Sequence, residues 1–282
     1  MTALAAVLRD LLARGEPAAL VEVTALKGSA PREAGARMLV TALAIHGTIG
    51  GGQLEWEAVR RARALLEDHE SNALLEVPLG PEIGQCCGGF VSLRLSRADD
   101  GIRAELEAIE QAEGEGLPLV LLFGAGHVGK ALAAALAPLP FRVRWIDGRA
   151  GEYPDPPIEG PEVVVTERAL AEVDAAPADA ACLVLTHSHA LDSMICAAVL
   201  QRGDFAYLGL IGSRTKRARF ERGFRELGIP EDRIARLVCP IGGARLKDKR
   251  PEVIAALTAA ELLQALAEPT ANGQHRATGE AA

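Results

Sequence analysis

The stretch from residue 117 to residue 129 constrains the fold of this chain more than any other. Residues 117–123 are a continuous apolar run, as a strand buried on both faces requires. The run leads into Gly124-Ala125-Gly126-His127-Val128-Gly129, and the pattern from Lys130 to Ala137 reads as a helix. A second strand over residues 141–146 ends at Asp147. This is GxGxxG between a strand and a helix, with an acidic residue about 20 positions on. The glycines allow a tight turn and close approach of a phosphate, and Asp147 is placed to take a ribose hydroxyl.

Downstream the alternation continues, with strands over 162–166, 181–186 and 206–211 and helices over 191–201 and 215–227. That order predicts a doubly wound, Rossmann-like parallel sheet, with functional residues at the carboxyl ends of its strands. Two polar clusters fall there. One is Thr186-His187-Ser188-His189 with Asp192 a helical turn later. The other is Gly212-Ser213-Arg214, a helix cap and anion contact. His187, His189 and Asp192, spaced HxHxxD, are also close to the HxHxD kind of metal pattern used by binuclear hydrolases. Such centres need further histidines, and the one that follows is His275 in a polar tail. Cys182 and Cys196 read as core residues, and Cys239 stands before Pro240-Ile241-Gly242-Gly243 near the crevice side. A last helix over 252–266 packs on the sheet or on the preceding domain, and a tail over 269–282 reads as disordered.

The first hundred residues have a different grammar. Leu4, Val7, Leu8, Leu11 and Leu12 trace an amphipathic helix closed by Gly15. Short strands follow around 20–23, 38–40 and 91–96, the last alternating apolar and polar. Between them, Gly28-Ser29-Ala30-Pro31-Arg32 is a polar turn in which Arg32 offers a bidentate fork to an oxyanion. Gly50, Gly51 and Gly52 deliver the chain into a helix and suit an anion site, or else a hairpin end that needs positive φ. Glu55 in the first turn suits the helix dipole but repels an anion bound close by. Gly84-Gln85-Cys86-Cys87-Gly88-Gly89 places two adjacent thiols among glycines. Neighbouring cysteines pair poorly with each other and are badly spaced for zinc. They fit a site that holds something soft, or a tight turn over two small apolar side chains.

The resulting expectation is an α+β domain over residues 1–98, a connecting helix and linker over 99–116 that frays near Gly114, and a Rossmann-like domain over 117–268. The 282 residues suffice for two cores. A net charge of -8, with basic residues scattered among acidic ones, argues against nucleic acid as the main partner. No apolar run approaches the ~20 residues that span a bilayer. Five cysteines without framework spacing suggest a reducing, cytoplasmic setting.

Taken together the motifs resemble the XdhC/CoxI family. In the first half the resemblance is carried by residues 28–32 with Gly35-Ala36, by residues 47–52 with Glu55, and by residues 84–89. In the second half it is carried by residues 124–129, Asp147 with Arg149, residues 186–189 with Asp192, residues 209–216 and residues 240–242. One departure is the stretch 243–250, where Arg245, Lys247, Lys249 and Arg250 replace the apolar, glycine-containing segment of many relatives. The resemblance implies a maturation factor, not a catalyst. It would bind the molybdenum cofactor, protect it while a cysteine desulfurase supplies a sulfido ligand, and deliver it to apo-xanthine dehydrogenase, working as a homodimer in purine catabolism. Cofactor contacts are then expected from Gln85, Cys86, Cys87, Arg32, Gly50, Gly51, Gly52, Gly124, Gly126, His127, Gly129, Asp147, His187, His189, Asp192, Ser213 and Arg214, with Cys86 or Cys87 at the molybdenum or its sulfur. The turn at Gly124 is open to a nucleotide as well. The rival reading is an NAD(P)-dependent oxidoreductase using Gly124, Gly126, Gly129 and Asp147, and a third is a redox sensor working through Cys86 and Cys87.

Overall fold

The computed structural model describes residues 3–27, 32–79, 89–243 and 248–267. The chain divides into two compact units at Glu115 and Gly116.

The first unit is an antiparallel sheet covered on both faces. Its strands are β1 (Ala18–Lys27), β2 (Arg37–Thr41), β3 (Ile45–Gly47), β4 (Asn72–Leu79) and β5 (Gly89–Arg97), in the spatial order β3-β2-β1-β5-β4. Alternation along β1 decides what covers each face. Ala19, Val21 and Val23 join Met38, Val40, Val91, Leu93 and Leu95 beneath α2 (Gly52–Glu67), which contributes Leu54, Ala58, Ala62 and Leu65. Ala18, Leu20 and Leu39 point the other way, against Leu4, Leu8 and Leu11 of α1 (Leu4–Ala13) and Leu106 of α3 (Asp100–Gly116). The alternation expected for residues 91–96 is realised, since Val91, Leu93 and Leu95 are fully buried. α3 continues through Gly114 to Gly116, where the sequence predicts fraying. The Gln111–Glu115 hydrogen bond (3.0 Å) spans Gly114 along the helix, and Arg37 pairs with Glu113 (3.6 Å).

The second unit is the doubly wound parallel sheet. Its strands β6 (Leu119–Phe123), β7 (Arg142–Asp147), β8 (Glu162–Val165), β9 (Ala181–Val184), β10 (Tyr207–Leu210) and β11 (Leu237–Val238) lie in the order β11-β10-β9-β6-β7-β8, every pair parallel. Leu121 and Phe123 of β6 face one helical layer: α5 (Ala169–Ala175), α6 (His189–Arg202), α7 (Arg214–Glu226) and α8 (Glu231–Ala235). Val120 and Leu122 face the other layer, α4 (His127–Leu136) and α9 (Pro251–Ala267). The apolar run is therefore continuous because each face of β6 has its own core. From β6 the chain winds to β7 and β8 on one side, then returns to β9 on the other. The winding reverses between β6 and β9, and a crevice opens at their carboxyl ends.

Three glycines build the joint that forms one wall of this crevice. Gly124 has φ +119°, and a Cβ there would lie 2.3 Å from the Leu185 carbonyl oxygen. A Cβ on Gly129 would lie 2.0 Å from the Gly124 carbonyl oxygen, so α4 starts directly against the turn. Gly126 differs: its φ is -70° and a Cβ would meet nothing within 4 Å. Gly129→Ala is therefore expected to cost about 3 kcal/mol or more, because backbone must move. Gly126→Ala should cost about 1 kcal/mol or less. Urea unfolding of the two variants checks the contrast, and equal losses would contradict this account of the turn.

Candidate functional site

The crevice is floored by the ends of β6 and β9 and walled by the loops that follow them. α4 begins at Gly126 with no side-chain cap and no acidic residue in its first turn. Its first amides therefore point from the turn without an internal acceptor in the capping position. Together with the open face of Gly126, this is the arrangement that admits an anionic group. His127 is exposed at the same end of α4.

The glycine loop of the first unit has the opposite character. Glu55 Oε2 accepts from Ile49 N (3.1 Å), Gly51 N (3.2 Å) and Thr48 Oγ1 (2.5 Å), while Gly50 N donates to Thr48 Oγ1 (3.1 Å). Gly50, Gly51 and Gly52 all have positive φ, as the hairpin-end reading requires. Of the amides considered for an external anion, that of Gly51 is thus donated to the protein's own carboxylate and that of Gly50 to Thr48, which itself donates to Glu55, so a ligand there would have to displace Glu55. Arg32 is exposed, and the glycine turn before it lies outside the described residues, as do Gln85, Cys86 and Cys87.

Asp147 ends β7 beside the Gly124 turn, and its side chain is 3% exposed. Its Oδ2 accepts from Ala125 N (2.8 Å) and Arg149 Nη2 (2.9 Å), and its Oδ1 from Arg149 N and Nε (both 3.0 Å). A carboxylate offers about four acceptor positions, so Asp147 is fully subscribed. Burial pushes its carboxyl up, but the Arg149 guanidinium and the Ala125 and Arg149 amides outweigh that and hold it below the usual range. The ribose-binding role expected of Asp147 therefore has no vacant oxygen in this arrangement. The group at the surface is Arg149, which also donates from Nη1 to Glu152 Oε1 (3.1 Å). Glu152 lies in a 3-10 turn over Ala150–Glu152, and its Oε2 is 3.8 Å from Lys130 Nζ on α4. Behind them Tyr153 packs edge-on against Trp145 (centroids 4.9 Å).

Beyond β9, Asp192 is a buried tie. Its Oδ1 accepts from Thr186 N (2.9 Å) and lies 2.7 Å from Thr186 Oγ1, and its Oδ2 accepts from Lys216 Nζ (2.8 Å). Lys216 also donates to the Ile211 carbonyl (2.9 Å), so one ion pair joins the loops after β9 and β10. Asp192 is 1% exposed whereas His187 and His189 are exposed. The carboxylate thus faces inward from the two imidazoles. Among the described residues no group of three His, Cys, Asp or Glu side chains is placed to hold a metal ion. Ser188 and Ser213 cap their helices, accepting from Leu191 N (3.3 Å) and Lys216 N (3.2 Å), and Arg214 is exposed beside Ser213. Burial pushes the Cys182 thiol up to about 12 and that of Cys196 well above its ordinary value. Burial also raises Cys239, against the pull of Lys216 and Arg217. These three thiols are protonated at neutral pH and poor nucleophiles.

Sequence reasoning thus finds the turn, Asp147, Asp192 and the Ser213 cap, and does not mark Ser188 as a cap. It misses the partners that neutralise them: Lys216 as the counter-ion of Asp192, and Glu152 with Lys130 beside Arg149. Arg149 stands out by its family resemblance, but nothing in its spacing reveals that it saturates Asp147.

Fold and crevice define a class, a protein with a nucleotide-type α/β unit whose glycine turn is open at Gly126, preceded by a separate antiparallel α/β unit. Residues 120–262 match the XdhC Rossmann domain, and residues 11–78 match the XdhC and CoxI family. The chain belongs to the XdhC and CoxI family. It is similar to the uncharacterized protein YqeB of Escherichia coli (strain K12), 31% identical over 260 residues. That alignment covers 88% of this chain and 43% of YqeB, so the chain spans less than half the length of this relative. In fold it is similar to a crystal structure described as a xanthine dehydrogenase from Bacillus halodurans, with TM-score 0.72 and 18% identity, covering 97% of this chain and 98% of that one.

The Asp147 geometry carries a pH signature. A carboxyl held low in the folded state contributes stability that is fully present above its unfolded pKa of about 4. That contribution is lost as pH falls through the lower folded value. Asp147→Asn should lower Tm at neutral pH and flatten its decline below about pH 4. Parallel Tm profiles for the two proteins between neutral and acid pH would contradict this.

Proposed function

We propose that the chain is a maturation factor for a molybdenum hydroxylase of the xanthine dehydrogenase type. In this reading it binds the molybdenum cofactor as cargo and shields it while a cysteine desulfurase supplies the sulfido ligand. It then delivers the cofactor to the apo-enzyme by direct contact, and acts as a homodimer in the cytoplasm. The observation that carries the proposal is the pairing of an open, uncapped turn at Gly126 with an Asp147 that is already saturated. The turn suits the phosphate of a pterin cofactor. The acid that would hold a nicotinamide dinucleotide by its ribose has its oxygens engaged. Membership of the XdhC and CoxI family and the match to the XdhC Rossmann domain support the same direction.

The chain's own groups divide the work of holding such a cargo. Gly126 lets the phosphate approach backbone, and the first amides of α4 donate to it. His127, His187 and His189 are exposed polar side chains available to the pterin edge, and Arg214 beside the Ser213 cap adds a positive charge. In the first unit, Cys86 and Cys87 are soft sulfur donors in their own right. Exposure of His127, His187, His189 and Arg214 suits a carrier that must also release. Among the described residues Asp192, the buried acid nearest the exposed histidines in sequence, is committed to Lys216 and Thr186.

Cells lacking the protein should make xanthine dehydrogenase that retains its flavin and iron-sulfur centres but is inactive. Purified protein loaded with sulfurated cofactor should restore activity to that enzyme. Cys86→Ser/Cys87→Ser should weaken cofactor binding with circular dichroism and Tm nearly unchanged. Normal enzyme activity in a deletion strain with no second family member would overturn the assignment. Tightly held nicotinamide released on denaturation, without molybdopterin, would favour an oxidoreductase instead.

A further inference from the structure

The end of β7 carries four charged side chains in one chain of contacts. Asp147 is buried and takes four donors. Arg149 spans it and reaches Glu152 Oε1 at 3.1 Å, and Glu152 Oε2 faces Lys130 Nζ at 3.8 Å. A single carboxylate therefore bridges two cations. Exposure separates the members: Asp147 is 3% exposed, whereas Arg149, Glu152 and Lys130 are 36%, 38% and 39% exposed. The bridge is open to solvent, where ion pairs contribute little and exchange easily. It is also tied to the turn. Ala125 N donates to Asp147, and Lys130 N donates to the Gly126 carbonyl in the first turn of α4.

We propose that Arg149 and Lys130 form a phosphomonoester seat at the rim of the Gly126 turn, which Glu152 holds closed until a ligand phosphate takes its place. The seat also sets selectivity. Asp147 anchors the guanidinium and has no oxygen left for a vicinal diol, so a ribose with free hydroxyls gains nothing there. A terminal phosphate gains a planar fork and an ammonium, the two donors that Glu152 bridges. The chemistry recognised is a dianionic phosphate ester, whether the phosphate of a pterin cofactor or the 2′-phosphate of an NADP-type nucleotide. Glu152 also balances the charge: with it in place the cluster is two carboxylates and two cations, and with it displaced the rim is positive. This deepens the proposed function and rests on the reading that the Gly126 turn accepts a phosphate.

Equilibrium binding to the full chain tests the seat with three probes: NAD+, NADP+ and molybdenum cofactor released from a purified enzyme. Glu152→Gln keeps the shape and removes the competing charge, and should tighten the phosphomonoester probe about threefold or more. Arg149→Ala should weaken the same probe about tenfold or more. Arg149→Lys keeps a charge over Asp147 if the alanine variant fails to fold, and should weaken the probe less. NAD+ should respond to none of them. A response from the cofactor alone, or from NADP+ alone, supports the seat and says which phosphate it takes. Gly126→Val separates the two readings. If Gly126→Val weakens binding of a phosphomonoester probe and the Arg149 and Glu152 variants leave it unchanged, the seat is overturned and the turn stands. If Gly126→Val has no effect either, the phosphate-turn reading fails and the seat fails with it. NAD+ bound as tightly as NADP+ and the cofactor, and weakened equally by Arg149→Ala, would also overturn the proposal.

Discussion

Between the α-carbon of Gly129 and the carbonyl oxygen of Gly124 there is room for a hydrogen atom and nothing larger. A Cβ on Gly129 would come within 2.0 Å of that oxygen, and one on Gly124 within 2.3 Å of the Leu185 carbonyl. Those two approaches draw three elements to one point: the end of β6, the start of α4 and the loop after β9. Trp145 fastens the same carbonyl from the side, with Nε1 donating to Gly124 O at 3.0 Å. The position of the crevice follows from this. Because α4 starts so close to the strand end, its first amides open onto the point where the winding of the sheet reverses. Gly126, the one glycine of the three with free space beyond its α-carbon, faces that opening.

Charge around the crevice is settled before any ligand arrives. A buried carboxylate is stable only with donors on its oxygens. Asp147 and Asp192 each satisfy this with one basic side chain and backbone amides or a hydroxyl. In both the basic partner comes from a different element: Arg149 from the segment after β7, and Lys216 from α7. Each ion pair therefore holds a loop as well as neutralising an acid. Two acids that a motif scan marks as ligand contacts are structural members, and the groups left facing outward are their neighbours. The imidazoles of His187 and His189 are exposed while Asp192 is buried between the loops.

The order of strands and helices in the second unit is legible because each parallel strand reads as an apolar run bounded by turn residues. Residues 117–123 announce β6 this way, and Gly124 announces the turn. In the first unit β4 escapes notice, since Leu74 is 77% exposed and the strand carries Pro78, so no clean alternation marks it. β3 has three residues, too few for any period to show. α3 runs on past Gly114 because i,i+4 pairing and a salt bridge outweigh glycine's low propensity. The site divides similarly. Local devices such as Gly126 and the Ser213 cap can be read in place. Pairings such as Lys216 with Asp192, 24 residues apart, depend on which strands become neighbours, and no local pattern carries that.

The two glycine-rich loops show how far a shared local pattern can diverge. Both deliver the chain into a helix through glycines, and in both a carboxylate lies close by. At the first loop Glu55 Oε2 takes three donors from the loop itself, two of them backbone amides. The acid is in the helix's own first turn, so it reaches the amides without any help from tertiary structure, as a capping residue does. At the second loop the helix's first turn has no acid, and the nearest exposed one, Glu152, comes from the segment after β7. It touches side chains and not the turn: one contact to Arg149 at 3.1 Å and a longer one to Lys130 at 3.8 Å. Moving it costs two solvent-exposed contacts and leaves the backbone of the turn untouched. An anion approaching the first loop competes with a built-in cap that the loop conformation needs, whereas one approaching the second competes with a bridge that the fold can do without. The conformation of the second loop therefore does not depend on the carboxylate beside it, whereas that of the first does.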